Sequence, residues 1–240
     1  MEVPRWLERT ALITGAEAIS KLKKTKILLV GLGGVGSYAG EFLARAGIGT
    51  MYIIDGDTVD TTNINRQLQA LHSTVGQSKV ELLRQRFMDI NPDIELVCYD
   101  TFLEPDKMEA LIREHNFDFI LDCIDSVSPK LSLLKTALSI NGTVISAMGA
   151  GVKLDPSKIK VGDISETKEC KFARMLRKRL KREGIKTGFT AVYSEEIQPK
   201  SALEFTDGSN YKKSYYGTIS YMPALFGLTM AAEAIRRVIK

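Results

Sequence analysis

The sequence is poor in the residues that staple a fold covalently or through a metal. Its three cysteines, Cys98, Cys123 and Cys170, are odd in number, far apart and never in a CxxC pair. That pattern supports neither a disulfide framework nor a four-cysteine zinc site. The two histidines, His72 and His115, are isolated and make no metal site. No uninterrupted apolar run reaches the roughly 20 residues that cross a bilayer, and the opening residues lack the basic-then-apolar order of an export signal. A cytoplasmic protein with no spanning membrane segment is expected. Repeats and low-complexity tracts are also missing. What is present, 240 residues of which 44% are hydrophobic and 26% charged, suffices for one substantial core.

Charge of one sign is scarce overall, at +4, but it is unevenly spread. "KECKFARMLRKRLKREGIK", from Lys168 to Lys186, has nine Lys/Arg against two Glu, a local +7 that leaves −3 for the rest. Phe172, Leu176 and Leu180 recur at helical spacing, so the segment reads as a helix with one apolar stripe. Lys171, Arg174, Lys178 and Lys181 then share its outward face, which suits phosphate contacts as well as it suits plain solvation.

Strand-like runs alternate with helical patterns along the first part of the chain. "KILLVG", a helix near Gly34–Ala46, "TMYIID", a helix near Gln77–Ile90 and "IELVCY" come first. A helix from Pro105, "FDFILDC", a helix over Ser128–Ile140 and "GTVISAM" follow. This order predicts an α/β fold: a Rossmann-like doubly wound sheet, parallel in its N-terminal part and continued by antiparallel strands. A single adenylation-type domain is expected, with N-terminal helices over 1–25, a nucleotide-binding core over 26–150, and a sheet extension with the basic and last helices over 151–240. The last helix is expected to pack through Leu225, Leu228 and Ala232, and the polar stretch Gln198–Lys213 to be a loop.

The chemistry is concentrated behind the first strand. In "GLGGVG", Gly31 allows a tight turn, Gly33 lets backbone approach a phosphate, Gly34 lies in the same loop, and Gly36 permits close helix contact. Asp55, 24 residues after Gly31 at the end of the second strand, is placed to accept hydrogen bonds from a ribose. So far NAD fits as well as ATP. The following "DGDTVDTTNINRQ" and "TVGQSKV" add Asp57, Asn63, Arg66 and Lys79. An NAD site needs few cations near an intact pyrophosphate, whereas a site that cleaves a nucleoside triphosphate must neutralise about four shifting negative charges. Taken singly, each cation reads more readily as a surface salt bridge than as a phosphate contact.

Together with "RTALITG", "INPDIEL", "DCIDSVSPK" and "NGTVISAMGAG", these motifs resemble the ThiF-like adenylating enzymes related to ubiquitin activation, over nearly the whole chain. The resemblance implies that ATP and Mg²⁺ are the cofactors and that Asp55 holds the ribose. It implies that Asn63 and Arg66 contact the triphosphate, Lys79 binds phosphate oxygens, and Asp125 positions the metal, with Asp122 in the same "DCID" as the alternative. Arg9 matches an arginine that reaches into the partner protomer's site, which implies a homodimer.

Within that family, "GVGSYAGEFLARAGIG", "NINRQLQALHSTVGQSK", "LDCIDSVSPKLSLL" and "AVYSEE" resemble the branch named for tRNA threonylcarbamoyladenosine dehydration. That likeness implies a tRNA substrate whose threonyl carboxylate is adenylated and then cyclised with loss of water. The alternative is activation of the diglycine tail of a sulfur carrier, in which a cysteine desulfurase or sulfur acceptor is a partner. Cys98 and Cys123 fall in apolar strands and read as buried, while Cys170 opens a polar helix and is expected at the surface, where it is the one thiol with a claim to sulfur transfer.

Overall fold

The computed structural model describes residues 3–197, 203–205 and 214–240. A short helical turn at Arg5–Leu7 leads into α1 (Glu8–Thr14) and α2 (Ala16–Lys24), separated at Gly15, whose φ of 85° suits glycine. Then come β1 (Lys26–Val30), α3 (Gly36–Arg45), β2 (Thr50–Asp55), α4 (Lys79–Ile90) and β3 (Glu95–Asp100). The alternation continues with α5 (Pro105–Glu114), β4 (Phe119–Asp122), α6 (Val127–Ser139) and β5 (Val144–Ala147). The later part holds β6 (Ile159–Asp163), α7 (Lys171–Arg182), β7 (Thr190–Ser194), β8 (Leu203–Phe205), β9 (Ser214–Tyr216) and α8 (Tyr221–Ile239).

Seven strands form one sheet in the order β3-β2-β1-β4-β5-β7-β6. The chain moves outward from β1 to β3 and then returns to place β4 on the other side of β1, so the order reverses there. A crevice opens outside the carboxyl ends of strands at such a point. Side chains divide with the strand period: Ile27, Leu29, Met51 and Ile53 face one layer with α3, α4 and α8, while Leu28, Val30, Tyr52 and Ile54 face the other with α5, α6 and α7. Both faces are covered, which is why these strands read as continuous apolar runs.

The expected doubly wound mixed sheet is present, parallel strands ended by an antiparallel pair, while the core face expected of the last helix is corrected. Of the later strands in the sheet, β7 runs parallel to β5 and β6 alone is antiparallel, pairing with β7 from Ile159 opposite Ser194. The chain turns back along β6, and α7, whose Ala173, Leu176 and Leu180 are buried against the sheet, reverses it again, so that β7 runs in the direction of β5. The core face of α8 is Met222, Phe226, Met230 and Ala234, and Leu228 stays 37% exposed. Gly227 decides this rotation, because a Cβ there would lie 2.2 Å from the Val35 carbonyl oxygen; α8 rests on the backbone at the start of α3. Within the expected loop Gln198–Lys213, Leu203–Phe205 forms β8 and pairs antiparallel with β9; the rest lies outside the described residues. Among the described residues no helix is long and apolar enough to cross a membrane.

Candidate active site

The glycine loop is built by close approach. Gly31 has φ of 89°, and a Cβ on it would lie 3.0 Å from the Cys123 carbonyl oxygen. A Cβ on Gly36 would lie 1.8 Å from the Gly31 carbonyl oxygen, so the loop folds back onto the first residue of α3. A Cβ on Gly34 would lie 3.0 Å from Pro223 Cβ and 3.1 Å from the Arg66 carbonyl oxygen. Gly33 differs: its nearest neighbour would be Gln67 Nε2 at 3.7 Å, so the loop has an open side there. The N-terminal end of α3, the positive end of its dipole, opens onto that side.

Asp55 closes β2 and is buried. Its carboxylate accepts the Leu32 N–H at 2.6 Å and the Asp57 N–H at 2.8 Å, which fixes it against the glycine loop and leaves acceptor capacity over. Burial raises its pKa above the usual aspartate value, and the Lys79 charge opposes that rise. Lys79, the first residue of α4, is itself only 4% exposed and pairs with Asp57 at 2.9 Å. Behind Leu32, Gln69 donates to the Leu32 carbonyl at 2.8 Å, and its Oε1 is the one buried side-chain polar atom without a partner among the described residues.

Arg66 and Asn63 come from one short turn. Asp60 accepts the Thr62 N–H, Asn63 Oδ1 accepts the Asp60 N–H at 3.2 Å, and the Asn63 carbonyl takes the Arg66 and Gln67 N–H groups, both at 3.0 Å. The turn therefore holds Arg66 half-buried, donating to the Thr62 carbonyl at 2.8 Å. Burial pulls the guanidinium down from its usual pKa, and the carboxylates of Asp125 and Asp60 offset this. That pull places Asp125 in the electrostatic neighbourhood of Arg66, across the crevice from the β2 side.

The two carboxylates of "DCID" have separate environments. Asp122 is fully buried and committed: Lys130 Nζ lies 2.7 Å from its Oδ2, and Ser146 donates to it at 2.7 Å. Asp125, three residues on, is exposed. Of the two, Asp125 is the one open to solvent. The sequence reading missed Lys130 and Gln69; both lie inside the motifs "DCIDSVSPK" and "NINRQLQALHSTVGQSK", but nothing local shows that a lysine and a glutamine there are buried.

Other expected groups lie apart. Arg9 is exposed on α1, away from the crevice. Lys171, Arg174, Lys178 and Lys181 are all exposed on α7, as their spacing required. That helix starts beside the site, where Phe172 lies 3.4 Å from the Cβ position of Gly149, and ends where Glu183 pairs with Lys135 at 3.1 Å. Cys170 is a correction: it is buried, because it is the N-cap of α7 and its Sγ accepts the Ala173 N–H at 3.5 Å. Burial pushes the thiols of Cys98 and Cys123 above their usual pKa. The concavity lined by Lys21, Lys24, Asp118 and Arg237 lies at the amino ends of β1 and β4, opposite the crevice, and holds none of these groups.

These residues fit a nucleoside triphosphate. The open side at Gly33 and the helix end suit phosphates, Asp55 retains acceptors for a ribose, and Lys79 and Arg66 supply the cations. Asp125 is a hard oxygen donor of the kind Mg²⁺ takes together with substrate phosphates.

The chain is similar to known proteins along nearly its whole length. The tRNA threonylcarbamoyladenosine dehydratase of Bacillus subtilis is 36% identical over 239 residues, covering 97% of this chain and 94% of that protein. Its Escherichia coli counterpart is 34% identical, with the same shares covered. The crystal structure of the E. coli tRNA N6-threonylcarbamoyladenosine dehydratase in complex with ATP superposes with a TM-score of 0.86 at 32% identity, covering 99% of this chain and 97% of that one. The ThiF family model matches residues 7–240, and the chain belongs to the ThiF family.

Proposed function

We propose that this chain is an ATP-dependent tRNA-modifying enzyme that dehydrates N6-threonylcarbamoyladenosine beside the anticodon to its cyclic form. The observation that carries this reading is end-to-end likeness to dehydratases of that name, supported by a fold in which Gly33, Asp55 and Asp125 lie at or just beyond the carboxyl ends of β1, β2 and β4.

The chemistry follows from the groups present. A threonyl carboxylate oxygen attacks the α-phosphorus of ATP, the bond to pyrophosphate breaks, and an acyl-adenylate forms. An internal nitrogen of the substrate then attacks the activated carbonyl, AMP leaves, and one water has been lost overall. Because the second nucleophile belongs to the substrate, no thiol of the chain is called upon, in keeping with buried Cys170 and the raised Cys98 and Cys123. Gly33 and the α3 N-terminus hold phosphate, Asp55 orients the ribose, and Asn63 sets the turn that aims Arg66. Lys79 and Arg66 offset the charge on the departing pyrophosphate. A bound Mg²⁺ supplies further charge neutralisation at the phosphates, and Asp125 is the residue to hold it.

The active form is a homodimer in this reading. Trp6, Leu12 and Ile13 leave an apolar surface on and before α1, with Leu12 88% and Ile13 86% exposed, and Arg9 sits among them. A partner copy covering that surface would receive Arg9 in its own crevice. The exposed cations of α7, which begins beside the site, are placed to hold the tRNA backbone. A tRNA substrate also puts the reaction in the cytoplasm.

The test is AMP release from labelled ATP, with and without tRNA carrying the linear modification, followed by mass analysis of the digested nucleosides. AMP that depends on this tRNA, with a product lighter by one water, is the expected result. AMP formed only with a diglycine-tailed carrier overturns it.

A further inference from the structure

Asp122 and Lys130 meet at 2.7 Å with both side chains at 0% exposure. For stability alone such a pair is a poor choice, since apolar side chains of similar volume often do as well or better. The pair has a more particular use of its hydrogen bonds. Asp122 Oδ1 accepts the Ile124 N–H at 3.1 Å, and Lys130 Nζ donates to the Ile124 carbonyl at 2.9 Å. Both backbone groups of one residue are thus gripped by the two members of one ion pair. Ser146, on β5, donates to Asp122 Oδ2 at 2.7 Å and fixes the carboxylate in turn. On the other side the Cys123 N–H donates to the Val30 carbonyl at 2.9 Å, and Gly31 lies against the Cys123 carbonyl. The residue that follows Ile124 is Asp125.

We propose that the Asp122–Lys130 pair is a positioning device. It locks the Ile124 backbone between β4 and α6 and so delivers the Asp125 carboxylate to the phosphate end of the crevice with little freedom. This rests on the reading above that Asp125 serves the Mg²⁺ of bound ATP. Residues behind a metal-binding carboxylate act in this way, and their loss typically costs about 10–100-fold in metal affinity or activity. Lys130 also lies 5.8 Å from the centre of the Phe172 ring at the start of α7, so the same ammonium touches the beginning of the basic helix.

Two double variants of equal charge test this. Asp122→Asn with Lys130→Gln keeps a donor for the Ile124 carbonyl and an acceptor for its N–H; Asp122→Asn with Lys130→Met removes the donor. Each is measured by thermal melting, by ATP affinity in EDTA, and by ATP affinity in Mg²⁺. The Gln pair should keep the gain in ATP affinity that Mg²⁺ confers. The Met pair should lose about tenfold or more of that gain while binding ATP in EDTA like wild type. Equal gains in the two pairs overturn the proposal. Should the Met pair not fold, Ser146→Ala loosens Asp122 alone, and an unchanged Mg²⁺ gain there is equally fatal. No tRNA enters these measurements. A wild type that binds ATP more tightly with Mg²⁺ but leaves the modified tRNA intact would therefore count against the proposed reaction and leave the pair's role standing. A wild type for which Mg²⁺ adds nothing overturns that role.

Discussion

Alanine at Gly36 and at Gly33 should fail for opposite reasons. At Gly36 the new Cβ would stand 1.8 Å from the Gly31 carbonyl oxygen and 3.3 Å from Cys123 Cβ. A carbon–oxygen contact settles near ~3.3 Å, so the helix start and the loop must part by about 1.5 Å, and both are backbone. Overpacking of this kind costs about 1–3 kcal/mol or more, against at most about 1 kcal/mol gained in helix propensity. A net loss near 2 kcal/mol lowers the Tm of a chain this long by roughly 4–8 °C. At Gly33 the Cβ meets only Gln67 Nε2 at 3.7 Å, and the backbone is not in the left-handed region. Stability should stay within about 0.5 kcal/mol of wild type. The methyl group instead occupies the side of the loop we assign to phosphate, where a misfit of about 1–3 kcal/mol weakens ATP binding roughly 5- to 150-fold. Thermal melting with and without saturating ATP reads both effects. Gly36→Ala melts early; Gly33→Ala melts normally and loses the ATP-induced rise. A Gly33→Ala protein that ATP stabilises as it does wild type would refute the assignment of that side to phosphate.

Three further outcomes follow from the same geometry. Because burial raises the Asp55 pKa, the folded chain binds that proton more tightly than the unfolded one. Its contribution to stability is present below the ordinary aspartate value and is lost as pH rises through the raised value. ATP affinity should run the other way, weakening as pH falls through that window, and Asp55→Asn should abolish this difference in a titration of affinity against pH. Glu at Lys171, Arg174 and Lys178 together should raise the KM for tRNA and flatten its salt dependence by about one unit of log–log slope for each phosphate that the helix ceases to neutralise, with ATP binding unchanged; unaltered tRNA kinetics would remove α7 from the substrate path. Arg9→Ala and Arg66→Ala should each be inactive yet folded, and mixing them should restore turnover in heterodimers that contain one intact site. No recovery in a demonstrated heterodimer would end the case for a shared arginine.

Much of the fold is legible in the sequence because the same residues serve the chain's local and global needs. The glycines of "GLGGVG" and the apolar runs around them announce a strand, a turn and a helix at once, and the sheet order follows from right-handed crossovers. Other features depend on distant partners. Periodicity alone favours Leu225 and Leu228 on α8, but Gly227 has to meet the α3 backbone, and this turns Phe226 and Met230 inward. "DCID" offers two aspartates of equal appearance, and Lys130 decides between them from one turn inside the next helix. Charged neighbours suggest an exposed Cys170, yet an N-cap points back into its own helix start.

The dependence of the glycine loop on α8 has a consequence for the order in which the protein comes into being. Gly34 is backed by Pro223, and Val35 by Gly227, so an element made early is braced by one made very late. A ribosome-bound chain that has not yet reached Tyr221 has its strands and its glycines but lacks the brace that α8 sets behind Gly34 and Val35. Tight nucleotide capture is therefore expected only once synthesis has passed α8. A half-made chain, whatever else of its sheet has formed, is then a poor consumer of ATP.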